Sequence, residues 1–178
     1  MSFSNPASGA IEEAAAYTRA VLGLLGDRDP IVVFEEQAKS VRSLLEGLTR
    51  DQLNRPEKPG KWSITQVVQH LADSELVFGF RMRMALAHER PPLIGIDQDA
   101  WADRLHYDSV NLEDALEQLS SLRKANLKLI RNLTGDELSR VGVHAERGPE
   151  TVAHMIRLIA GHDLVHRNQI ARIRAAVA

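Results

Sequence analysis

Residues 158–170 read LIAGHDLVHRNQI, and their spacing decides the fold. Extended outward, Val152, Ile156, Ile159, Asp163, His166, Ile170, Ile173 and Val177 recur alternately four and three residues apart. That spacing keeps side chains on one face of a helix packed in a bundle, so a helix is predicted over 149–176. Its inward face is not purely apolar. Asp163 and His166 stand in the middle of the stripe, and His162 lies one turn before His166 on the adjoining edge. Burying an unpaired imidazole or carboxylate costs several kcal/mol at worst, so these groups require partners.

The rest of the chain supplies further helices. An alanine-rich amphipathic segment over 10–25 halts at GDRDP, where Asp29 as N-cap and Pro30 at the first helical position open a second helix over 30–48. Ser63 and Gln66 have the spacing of a capping box and begin a long helix that Pro91-Pro92 ends near Arg90. Another starts at Asn111, with Ala115, Leu119, Leu122, Asn126, Leu129 and Leu133 as its seam. No run alternates with period two for long enough to predict a strand. The expectation is an all-α four-helix bundle with an extra short N-terminal helix and a long loop between bundle helices 2 and 3, forming a single domain over 1–178. A faint repeat, LTRDQLNR over 48–55 and LTGDELSR over 133–140, precedes a loop and a long helix each time, as in two related helical pairs. The loop over 91–110 contains Trp101, which either walls a pocket or packs over the bundle end.

Composition narrows the function. The 178 residues are 44% hydrophobic, enough for one sizeable core, and a formal net charge of -2 with both signs interspersed offers no basic face for nucleic acid. The first residues lack a basic region followed by an apolar core, and no apolar run approaches the roughly 20 residues needed to span a bilayer, so a cytoplasmic location with no membrane partner is expected. With no cysteine, metal or acid-base chemistry must come from His, Asp and Glu, and the seven histidines become the residues to sort.

Two histidines at i and i+4 point the same way, and one divalent cation satisfies both. His162 and His166 are therefore candidate metal ligands, and a third ligand must come from another helix. His70, beside Ser74 on the flank of the inward stripe of its helix, is the candidate; alone, it would more simply be a half-buried histidine with a water or backbone partner. Asp163 is a candidate catalytic residue, as a base or as the group orienting a ligand imidazole, the simpler alternative being an ion pair with Arg81 or Arg167. Asn126 and Gln169 either line a pocket or bond between helices. Asp73 and Glu75 are read as facing solvent, His88 and His144 as surface residues, and His154 as too far along its helix to share the ion. His106 could approach from the long loop. Ser74, His70 and Asp73 have the residue types of a hydrolytic triad, but neighbours on one helix cannot form its line of hydrogen bonds.

The stretch KWSITQVVQHLADSE, followed about ninety residues later by GHDLVHRNQI, closely resembles the DinB-like superfamily, in particular its YfiT-like metal-dependent hydrolases. The resemblance runs from about Tyr17 through nearly the whole chain. It implies a bundle of up-down-down-up topology, a homodimer, and a divalent metal held by three histidines, which by motif fall on His70, His162 and His166. Related members include thiol-dependent transferases and an isomerase. The resemblance therefore implies a small-molecule substrate, with a low-molecular-weight thiol as cosubstrate if the transferase branch applies; if the metal activates such a thiol, Asp163, Asn126 and the Trp101 loop are the residues expected to shape the pocket beside it. Zinc and nickel are the first choices of metal, and manganese or iron also accept imidazole. HDLVH also approaches the H-E-x-x-H of zinc peptidases, with Asp for Glu, but little chain lies beyond it and no strand is predicted. A non-catalytic metal-binding bundle is the rival class.

Overall fold

The computed structural model describes residues 11–178; Ala10, the first residue of the predicted N-terminal helix, lies outside them. Helix α1 spans Ile11–Leu25, α2 Pro30–Leu45, the short α3 Arg50–Asn54, α4 Ile64–Ala87, α5 Gln98–Arg104, α6 Leu112–Ile130, the short α7 Gly135–Ser139 and α8 Val152–Val177. The helix starts follow the capping chemistry in the sequence. Asp29 accepts the Ile31 N–H at 2.8 Å in front of Pro30, Asn111 accepts from Glu113 at 2.8 Å, and Ser63 forms a reciprocal box with Gln66. The repeat is a repeat of structure as well: α3 and α7 both begin with a threonine capping box, Thr49 with Gln52 and Thr134 with Glu137.

Two apolar clusters fix how the helices run. One gathers Val33 and Phe34 from the start of α2, Met82 and Ala85 from the end of α4, Leu127 and Ile130 from the end of α6, and Val152 to Ile159 from the start of α8. The other gathers Val41 from the end of α2, Ile64 to Ala72 from the start of α4, Ala115 to Leu119 from the start of α6, and Ile170 to Val177 from the end of α8. Thus α2 and α8 point one way and α4 and α6 the other, an up-down-down-up bundle. Parallel α4 and α6 require the chain to travel back along the bundle between them, which is why that connection is long. Helix α1 packs outside the four, against α8, where Gly161 permits the crossing: a β-carbon there would sit 2.7 Å from Val21 Cγ1 and closer still to the Val21 carbonyl.

The connections hold what the sequence pattern missed. Strand β1 (Pro92–Leu93) pairs in parallel with β2 (Val141–His144), which pairs antiparallel with β3 (Gly148–Thr151). Strands of two to four residues are too short to show a period-two alternation. Pro149, taken as the start of the last helix, lies in β3, and α8 begins behind its N-cap Thr151. His144, read as a surface residue, is 2% exposed within β2, its Nδ1 accepting from the backbone of Glu146 and Arg147. The buried face of α6 is also rotated from its apolar seam: Leu122, Leu129 and Leu133 are half-buried, while Arg123 is in the core.

Candidate metal centre

Between the two apolar clusters the bundle has a polar layer. His70 stands two turns into α4, and His162 and His166 are one turn apart on α8, which runs antiparallel to it. The three rings are buried and their Nε2 atoms face one another, with His162 Nε2 3.2 Å from that of His70 and 3.1 Å from that of His166. All three ligand atoms fall within 4.8 Å of one another, and Ser74 Oγ is 3.4 Å from His70 Nε2. His166 donates its Nδ1–H to Gln169 Oε1 at 2.7 Å, which leaves its Nε2 as a lone pair directed at the cluster.

Neutral imidazoles facing one another in this way cannot all be satisfied by sharing protons, whereas one cation satisfies every lone pair. A tetrahedral ion with bonds of about 2.0–2.1 Å separates its ligand atoms by about 3.3 Å, close to the spacing here. Burial holds all three imidazoles in the neutral, ligating form. It pushes His70 and His162 well below the ordinary histidine value, helped by their neighbouring rings, and His166 down to about 4 against the opposing pull of Gln169.

These shifts have a sign for stability. Folded His166 binds its proton near 4 and an unfolded histidine near 6.5, so between those values the unfolded chain holds the extra proton. Stability therefore falls as pH drops through that window, by about 1.4 kcal/mol per pH unit for His166 alone, and His70, His162 and His144 act in the same direction. Asp163, pushed up to about 6 by burial against the pull of Arg123, opposes them with one proton. The urea midpoint of metal-free protein is expected to fall steadily from pH 6.5 to 4.5; a flat midpoint would contradict the burial of these rings.

Asp163 follows His162 in α8 but faces α6, not the cluster of Nε2 atoms. Arg123 holds it bidentately, at 2.5 Å and 3.1 Å, and bonds Glu75 at 2.7 Å and 2.9 Å, while its guanidinium stacks 4.4 Å from the Phe34 ring. The partner of Asp163 is thus Arg123, in place of the Arg81 or Arg167 considered from the sequence. Burial lowers the Arg123 pKa and the two carboxylates more than reverse it. Asn126 extends the network, donating to Glu75 Oε1 at 2.7 Å and accepting from Arg83 at 2.6 Å, with its amide pressed against Gly79 of α4. Asp73 and Glu75, expected toward solvent, are both buried, and Asp73 accepts from Tyr107 Oη at 2.5 Å and from Gln118.

A cleft with about 560 Å³ of atom-free space, counted out to its open mouth, reaches His70 and His162. Ser74, Phe78 and Arg81 from α4, Tyr17 from α1 and Arg147 also line it. Neither Trp101, half-buried on α5, nor Asn126 is on its wall. The tryptophan at the cluster is Trp62, its ring 5.0 Å from that of His70. His106 is exposed, with a positive φ of 55°, and does not join the histidines. Arg123 was the residue least visible in advance. Its only signal was a lone cation on the flank of an apolar seam, opposite acids on two other helices.

Known proteins resemble this chain in sequence and fold. A protein of Oceanobacillus iheyensis, provisionally named a metal-dependent hydrolase, is 27% identical over 139 residues, covering 78% of this chain and 80% of its own. One from Bacillus cereus with the same provisional name is 28% identical over 140 residues, covering 79% and 80%. The solved structure of YfiT from Bacillus subtilis, described provisionally as a metal-dependent hydrolase with an unusual four-helix bundle topology, superposes with a TM-score of 0.76 at 28% identity, over 81% of this chain and 83% of that one. The family model of the DinB superfamily matches residues 34–170, a span that begins at the ring stacked on Arg123 and contains all three histidines. By sequence and fold, the chain belongs to the DinB superfamily.

Proposed function

We propose that His70, His162 and His166 hold one divalent cation, zinc or nickel in preference to manganese or iron, and that the protein is a metal-dependent hydrolase of a small molecule bound in the adjoining cleft. The observation that carries this reading is the set of three buried, neutral, mutually facing Nε2 atoms, two of whose histidines, His70 and His162, line an open cleft. When bound, such an ion supplies Lewis acidity and lowers the pKa of a water molecule to about 7. The chain's own residues set the conditions. Gln169 fixes the His166 tautomer, and Ser74 offers a hydroxyl beside His70 to hold a polar group of the substrate. Asp163 acts as a positioning residue, since the two hydrogen bonds it accepts from Arg123 fix the rotation of α8 next to His162.

The test is turnover of a panel of aryl esters, anilides and phosphodiesters by zinc- or nickel-loaded protein, with and without chelator and with and without a low-molecular-weight thiol. Hydrolysis that needs the metal and no thiol is the expected result. Consumption of electrophiles only when thiol is present would replace this reading with the thiol-dependent transferase, and turnover of nothing would leave a metal-binding bundle.

A further inference from the structure

Arg81 lies on the same face of α4 as His70, Ser74 and Val77, and all four line the cleft. Its side chain is 4% exposed, yet its hydrogen bonds go to a single neutral acceptor, the Ile94 carbonyl, reached at 3.0 Å by Nε and more closely by Nη2. The Phe78 ring lies 5.3 Å from the guanidinium carbon. Among the described residues no carboxylate lies within ion-pair distance of it. This sets Arg81 apart from the other buried guanidinium, Arg123, which has two. Arg147, on the same wall, is already matched by Glu150 at 2.5 Å and 3.0 Å, and among the described residues no carboxylate lines the cleft. Burial, then Arg147, lowers the Arg81 pKa to about 10 against the opposing pull of the more distant Glu150 and Glu146, neither of which bonds it, and this leaves it charged at neutral pH. A guanidinium has five N–H donors, and Ile94 occupies two.

We infer that Arg81 is a specificity-determining anion subsite, and that the substrate is an elongated molecule with a carboxylate or phosphate at one end and its reacting group at the histidine cluster. This deepens the metal reading proposed above and rests on it. Eleven residues separate His70 from Arg81, roughly 16 Å along the helix axis. The arginine side chain leans back toward the helix N-terminus and closes part of that distance. No small anion touches both ends; a chain of several atoms is required, and the apolar Phe78 and Leu158 along the wall suit its middle.

The experiment compares binding of suberic acid monohydroxamate and octanohydroxamic acid to zinc-loaded protein by calorimetry. Both carry a zinc-seeking head and differ at the far end, carboxylate against methyl. The carboxylate is expected to bind tighter by roughly tenfold to a hundredfold, the usual range for a hydrogen bond to a charged group. Its advantage should peak at one chain length in a series from four to ten methylenes. An ω-phosphonate analogue, compared with the carboxylate, identifies the preferred anion. Arg81→Gln should erase the preference and leave octanohydroxamate affinity within about twofold, Arg81→Lys should retain part of it, and melting curves report whether each variant is folded. Should the glutamine variant not fold, the wild-type comparison and the length series decide alone. If zinc and octanohydroxamate bind but neither anionic end adds affinity, the subsite is overturned and the metal site stands; if zinc does not bind, the metal reading falls and the spanning ligand with it.

Discussion

Alanine at any one of positions 70, 162 or 166 is expected to lower zinc affinity by more than about a hundredfold, whereas His88→Ala and His106→Ala keep about one ion per chain. The scale comes from the site: each histidine is one of only three donors, and losing even an outer partner of a ligand commonly costs 10–100-fold. His88 and His106 are exposed and outside the cluster, so they control for unspecific effects of removing imidazole. Metal analysis after dialysis against a weak chelator distinguishes the two sets. Equal metal content in all five variants would remove the assignment of the site. Gln169→Leu should show an intermediate loss, because it frees the His166 tautomer without deleting a donor.

The largest effect on stability is expected at Arg123. Arg123→Met leaves Glu75 and Asp163 facing each other in the core, 2% and 1% exposed, without the cation that both now bond. Breaking one buried pair costs about 3–5 kcal/mol, a large part of the 5–15 kcal/mol that typically holds a domain folded. Urea denaturation of metal-free protein at pH 7 should therefore show a sharply lowered midpoint for Arg123→Met, by about 3–5 kcal/mol of stability. Adding Glu75→Gln and Asp163→Asn should recover much of the loss by removing the stranded charges. A loss below about 1 kcal/mol in the single variant would mean that the network contributes little.

The helices and the His162/His166 pair were readable because both depend on spacing within one segment. Caps at Asp29, Ser63 and Asn111, and the four-three stripe of α8, are local signals, and the i, i+4 pair of His162 and His166 is a local fact. His70 could be joined to them from the sequence only as the one histidine flanking the inward stripe of another long helix. What escaped depends on what faces a residue from elsewhere in the chain. Glu75 and Asp73 look like solvent-facing acids until Arg123 from α6 and Tyr107 from the loop after α5 arrive to bond them. Arg123 itself breaks an apolar seam, and a hydrophobic count rotates α6 away from it. Strand β1 pairs with β2 across about fifty positions, and all three strands are too short to carry a pattern of their own.

The up-down-down-up order also has a kinetic meaning. Helices joined by short turns would find each other quickly, but here α2 lies against α8, with Arg167 bonding Ser40 across 127 residues, and α4 meets α6 across about fifty, as between Glu75 and Asn126. Closing such loops is entropically slow, so the bundle should fold later than an up-and-down bundle of equal size. During synthesis α2, α4 and α6 leave the ribosome before α8 and wait with part of their apolar faces bare. Two of the three clustered imidazoles arrive on α8, so of the three a nascent chain holds only His70, and the cluster is completed only when that helix packs against its distant neighbours.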